Sequence, residues 1–174
     1  VAQTQKSTGK GALTLFSKNG QDGREILFRQ FENYENDPIA YVPDTGFTKS
    51  GLSSASGKCF AFSPDIEWGP GLVHKLETDF TQGDLKIIAS CDVAIQEDCD
   101  VVYSLELRRG KKQLASEWIE LQDFKLPINN WRKIVLAYGP KFQLRKGDEI
   151  KIHIWNRGKT NLRMDNLELK MMSK

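Results

Sequence analysis

Several things are scarce in this 174-residue chain, and each scarcity closes off a class of function. It has only two histidines, His74 and His153, and neither HExxH nor GxSxG occurs, so the familiar zinc-hydrolase and nucleophile-elbow chemistries have no foothold. Its three cysteines, Cys59, Cys91 and Cys99, form no CxxC pair and no Cys/His metal spacing. They are expected to be ordinary buried thiols, with a Cys91–Cys99 bridge as the alternative. A formal net charge of +2, with both signs interspersed, gives no basic stripe for nucleic acid and no polybasic face for a membrane surface. No apolar run is long enough to span a bilayer. Nor is there a long helical pattern; the nearest candidate, 140–147, is short and holds Pro140 and Gly147.

What remains is strand signal. "DLKIIASCDVAI" places Leu85, Ile87, Ala89, Cys91, Val93 and Ile95 at strict period two. "DEIKIHIWN" puts Ile150, Ile152 and Ile154 on one face, with Lys151, His153 and Trp155 on the other. "DVVYSLELRRGKKQLASEWIELQDF" reads as a hairpin turning at Arg109-Gly110-Lys111. Further strands are expected in "REILFRQFENYE", "GKCFAFSP", "GLVHKLETDF", "NNWRKIVLAYG" and "TNLRMDNLELKMM". Eight or more short strands separated by Gly, Pro, Asn and Asp predict an all-β, two-sheet antiparallel sandwich. The chain opens on Val1, as a mature fragment or an excised domain would. Residues 1–24, rich in Gly, Lys, Gln, Ser and Thr, are expected to be a leader or linker with a short strand at Ala12–Phe16, and 25–174 the sandwich.

The last strand holds an irregularity. Leu162 and Met164 share one parity, and Leu167, Leu169 and Met171 the other. A one-residue slip flips every side chain, so a bulge is predicted at Asp165-Asn166. An inward-turned carboxylate there would need a cation or a hydrogen-bonded partner.

"FEN" at Phe31–Asn33, "SASGKCFAF" at Ser54–Phe62 and the C-terminal run from "NNWRKIVLAYG" to "NLRMDNLELK" together resemble the jelly-roll, galactose-binding-like sandwiches that include many carbohydrate-binding modules. The closing run resembles that of secreted and cell-surface proteins of Bacteroidetes-type bacteria. The resemblance implies a structural calcium held by Glu32 and Asp165 with carbonyls near Gly57 and Lys58; Asn166 stands where the family has a second Asp, which removes a charge and keeps an oxygen. Hydrogen bonding of Asp165 to backbone N–H groups is the alternative. The resemblance further implies an exported (secreted, periplasmic or cell-surface) location and a place within a larger multidomain protein.

Sugar rings present an apolar C–H face rimmed by hydroxyls, which proteins meet with flat aromatics and polar side chains. The residues expected to contact a glycan are Trp68, Trp118, Trp155, His153, Tyr103 and Arg108, while Trp131 is expected in the core and His74 on a polar strand face. The long loop Asn33–Ser54, with Tyr34, Tyr41 and Phe47, is a further candidate rim. The acidic turn carrying Asp92, Glu97, Asp98 and Asp100 lacks EF-hand spacing and is expected to be solvated. With no compelling nucleophile–base pair, the domain is expected to bind a polysaccharide without catalysis. A structural, adhesion or protein-docking domain without sugar affinity is the alternative.

Overall fold

The computed structural model describes residues 58–173 and, as backbone, three earlier strands at 24–31, 40–41 and 47–49. Among the described residues, eleven strands form two antiparallel sheets. They are β1 (Arg24–Phe31), β2 (Ala40–Tyr41), β3 (Phe47–Lys49), β4 (Lys58–Phe62), β5 (Trp68–Lys75), β6 (Leu85–Ile95), β7 (Val101–Arg109), β8 (Lys112–Glu120), β9 (Arg132–Tyr138), β10 (Glu149–Asn156) and β11 (Leu162–Ser173). One sheet runs β3-β4-β11-β6-β9, with β1 also on β11; the other runs β2-β5-β10-β7-β8. This is the expected all-β two-sheet sandwich.

Period-two apolar patterning does the sorting. From β6, Leu85, Ile87, Ala89, Cys91, Val93 and Ile95 point into the interior. Across from them, the second sheet contributes Leu72, Leu105, Leu107, Ile150, Ile152 and Ile154, all with 0% exposure. Fully burying each such aliphatic side chain contributes about 1.5–3 kcal/mol, which is what clamps the layers together. Tyr103 shares parity with Leu105 and Leu107 and sits in the same core at 0% exposure, so the expectation that it contacts a ligand is corrected: its ring points away from solvent. His74 likewise stands opposite Ile150, on the parity of Leu72 and Leu76, and is buried instead of lying on a polar face. Trp131, expected in the core, is half-buried ahead of β9 and lies outside the core cluster.

The predicted hairpin forms, with Gly110 at φ 57 between β7 and β8. Its end is tied to the β9–β10 turn by Arg109, whose Nε and Nη2 each donate to Asp148 at 2.8 Å. At the opposite end, Asn156 is fully buried. Its amide donates to the carbonyls of Ser63, Ile66 and Thr160, and its Oδ1 accepts from the backbone N–H and hydroxyl of Thr160. One side chain thereby fastens the β4–β5 and β10–β11 connections. All three cysteines are buried, and Cys91 and Cys99 are free thiols. Burial raises the thiol pKa of Cys91, and of Cys99 as well, keeping both in the thiol form.

The predicted bulge is present. The β11–β6 register shifts between Asp165 and Glu168, and Asn166 takes φ 49. It falls where β11 changes partners, since β4 pairs with Leu162–Met164 and β1 begins pairing at Leu167. Of the residues expected to hold calcium, Glu32 and Gly57 lie outside the described residues, as does the side chain of Lys58. Residues 1–23, with the expected leader and the Ala12–Phe16 strand, also lie outside them. So does most of the Asn33–Ser54 loop, including Tyr34 and the side chains of Tyr41 and Phe47.

Candidate glycan-binding face

The outer face of the second sheet follows from register. With Ile150, Ile152 and Ile154 buried, alternation sends Lys151, His153 and Trp155 outward from β10. Their cross-strand partners share that face: Val73, Gly71 and Trp68 from β5, and Glu106, Ser104 and Val102 from β7. β8 adds Ser116, Trp118 and Glu120 opposite Glu106, Ser104 and Val102.

Trp68 opens β5 and is 43% exposed. A register shift between His153 and Trp155 brings Trp155 opposite Trp68. The two rings stack at a centroid separation of 5.3 Å, 5° from parallel. That separation exceeds ring thickness, so the stack is slipped and leaves part of each face open. The imidazole of His153 tilts against the same Trp68 ring, 5.3 Å between centroids. Beyond Trp155 lies the Arg157 guanidinium, 5.7 Å from the ring centroid and itself held by Asp100. Trp155 Nε1 donates to Glu67 at 3.0 Å, which sets the ring's rotation. The array is thus His153, Trp68, Trp155, Arg157, each member positioned by the next.

Next to this array a groove of about 400 Å³ opens between Trp68 and Lys151. Gly71 makes the room: a Cβ there would lie 2.7 Å from the Ile152 carbonyl and 3.3 Å from His153 Cβ. His153 lines one side. Its Nε2 lies 2.9 Å from Ser104 Oγ, and burial lowers its pKa, so the ring is neutral at neutral pH. The Ser–His contact has nucleophile–base spacing, but His153 Nδ1 is buried without a hydrogen-bond partner, and so without an orienting acid, among the described residues.

The sequence-predicted residues therefore divide. Trp68, Trp155 and His153 come together. Trp118 is on the same face but two strands away from His153, about 10 Å across Ser104. Arg108 is on this face too, paired with Glu106 at 3.6 Å. Tyr103 is in the core. Lys151, Gly71, Ser104 and Arg157 join the face without having been singled out; the outward parity of Lys151 and the "GPG" at 69–71 were the available signals. The acidic turn is committed to structure, with Glu97 accepting from Asn161, and Asp100 from Arg157 and Gln122.

No protein-family model matches the chain, and no curated protein matches it in sequence. Solved structures do match in fold. The N-terminal CBM22-1–CBM22-2 tandem domain of Paenibacillus barcinonensis Xyn10C superimposes with a TM-score of 0.53 at 14% identity, over 91% of this chain and 51% of that one. The CBM22-2 xylan-binding domain of the same protein gives 0.49 at 14% identity, over 85% and 99%. The CBM22-1–GH10 modules of Clostridium thermocellum xylanase 10B, complexed with xylohexaose, give 0.47 at 15% identity, over 87% of this chain and 29% of that one. The chain thus spans under a third of that xylanase structure. What the likeness establishes is the fold, the jelly-roll sandwich of carbohydrate-binding modules.

Proposed function

We propose that this is a non-catalytic polysaccharide-binding domain of an exported protein, and that the outer face of the second sheet is its binding surface. The observation that carries the reading is the Trp68–Trp155–His153 array standing beside a mostly apolar groove. Exposed indoles offer flat surface to the C–H faces of sugar rings at little entropic cost, and a groove with few polar groups is the usual form of a small-ligand site. Trp118, on the same face across Ser104, extends the platform in the direction perpendicular to the strands, which suits a chain-like ligand. The fold shared with carbohydrate-binding modules agrees with this reading without deciding it. The incomplete Ser104–His153 pair supports binding in place of hydrolysis.

A structural calcium at the β11 bulge belongs to the same proposal. The donors present fit the ion. Asp165 is a buried carboxylate, and Asn166 Oδ1 is buried without a hydrogen-bond partner among the described residues while its Nδ2 donates to Asp92 at 2.7 Å. Hard oxygen donors of this kind are what calcium takes. β1 and β4 reach β11 on either side of the bulge, so Glu32 and Gly57 are the next residues along from strands that meet there.

Affinity gel electrophoresis against a panel of plant, algal and host polysaccharides tests the function. Retardation by one class of polymer, lost in Trp68→Ala and Trp155→Ala, is the expected result. No retardation by any polymer overturns it in favour of a structural or protein-docking role.

A further inference from the structure

The groove carries a charge pattern that narrows the ligand. Among the described residues its lining is aromatic at Trp68 and His153, aliphatic or bare backbone along its floor, and charged at one position, Lys151. Among the described residues no carboxylate and no amide side chain lines it. Lys151 stands opposite Glu106 on β7, the residue best placed by register to neutralise it. Glu106 is instead paired with Arg108 at 3.6 Å, and no carboxylate of the described residues lies within ion-pair distance of the Lys151 ammonium. Glu149, two residues along the same outward face, stands between Lys75 and Arg108, and Glu67 accepts from Trp155 Nε1; neither is part of the groove wall.

This is a poor complement to a neutral sugar. Each sugar hydroxyl carries a proton that needs an acceptor, and protein sites supply carboxylate or amide oxygens for it. An ammonium is donor only. A half-buried cation on an apolar wall, with no ion pair among the described residues, is matched by a ligand that brings its own negative charge.

We infer that the groove selects acidic polysaccharides, the sugar ring lying against Trp68 and its anionic substituent, a uronic-acid carboxylate or a sulfate ester, meeting Lys151. The inference rests on the glycan-binding reading above and names its ligand class. The spacing suits it. Lys151 and His153 are two residues apart on one strand face, about 7 Å, comparable to a sugar ring with its substituent.

The test uses acidic polysaccharides in matched pairs: polygalacturonate and glucuronoxylan against their carboxyl-reduced forms, and a carrageenan against its desulfated form. Affinity is measured at low and at high salt with the full chain. The expected result is about tenfold tighter binding of one charged member over its neutral partner, weakened by salt. Lys151→Met, which keeps the aliphatic stem, should bring the two members of the pair within about threefold while neutral-polymer binding persists, and Lys151→Arg should retain the preference. Whether the carboxylate or the sulfate pair shows the preference identifies the anion. Equal binding of charged and neutral members, or an undiminished preference in Lys151→Met, overturns the inference and leaves the glycan-binding reading standing. Absence of binding to every polymer, charged or neutral, overturns both.

Discussion

Trp68 and Trp155 face one another across β5 and β10 with rings 5° from parallel and centroids 5.3 Å apart. Neither sits in the core, so the stack contributes to the surface and not to the clamp between sheets. Replacing either with Ala should leave the melting temperature within a few degrees of wild type, since substitutions away from the core usually change stability little. It should also abolish the exciton couplet that two stacked indoles give in far-UV circular dichroism. Loss of the couplet in both single variants, with glycan affinity falling about tenfold or more, is the expected outcome. A couplet that survives in Trp68→Ala would mean that another pair of rings produces it.

Asn156 tests how the sandwich ends are fastened. Its amide donates to three carbonyls, and its oxygen accepts from both donors of Thr160. Asn156→Ala should cost about 2–4 kcal/mol in urea unfolding, because several buried backbone groups lose partners at once. Asn156→Asp should be worse than Ala at neutral pH: it aims a carboxylate at the Ser63, Ile66 and Thr160 carbonyls with nothing to donate. An Asp variant as stable as wild type would show that the three carbonyls are satisfied by other groups.

Much of this architecture was legible in the residues. Strict alternation in β6 and β10 identified the core face, and from it the outward parity of Trp155 and His153. The change of parity between Met164 and Leu167 located the bulge. Tyr103 alternates with Leu105 and Leu107, and His74 with Leu72 and Leu76, so at both positions strand period outranks polar character in setting burial. The stacking of Trp68 on Trp155 was not legible. It depends on which strand lies beside β10 and on a one-residue register shift, both set by contacts distant in sequence. That Lys151 has no ion pair among the described residues was hidden for the same reason, because Glu106 could have taken either Lys151 across the sheet or Arg108 along its own strand.

His153 predicts how stability depends on pH. Burial is the main cause that lowers its pKa; Glu106 opposes the shift and Lys151 adds to it, with Ser104 and Trp68 the uncharged neighbours. The unfolded chain then binds a proton that the native chain resists. The stability owed to the neutral ring is fully present above the unfolded value of about 6.5 and is lost as pH falls from there to the lower folded value, flattening below it. Asp100 and Asp148 have depressed values, caused first by their hydrogen bonds to Arg157 and Arg109, so their contributions are lost only in a more acidic range. His153→Gln should remove the upper of these two steps in a plot of unfolding free energy against pH and leave the acidic one. A wild-type curve flat from pH 7 to 5, or a His153 NMR titration at or above 6.5, would refute the assignment.

The bulge at Asp165-Asn166 makes the last prediction. Asp165 is a buried carboxylate that accepts from the Asn166 backbone N–H, and beside it Asn166 Oδ1 is buried with no hydrogen-bond partner among the described residues, a cost that a cation would remove. If that cation is calcium, it binds only the folded chain, and its free energy adds to folding at about 2.7 kcal/mol for a hundredfold excess over Kd. Chelator should therefore lower the melting temperature by several degrees and added calcium restore it. Asp165→Asn should abolish the response to calcium, with its melting temperature no longer moved by chelator. Melting that ignores both chelator and calcium in the wild-type chain would leave Asp165 held by hydrogen bonds alone, among them the one it accepts from the Asn166 backbone N–H at 2.9 Å. The bulge would then be a device for turning β11 from β4 to β1, with no ion involved.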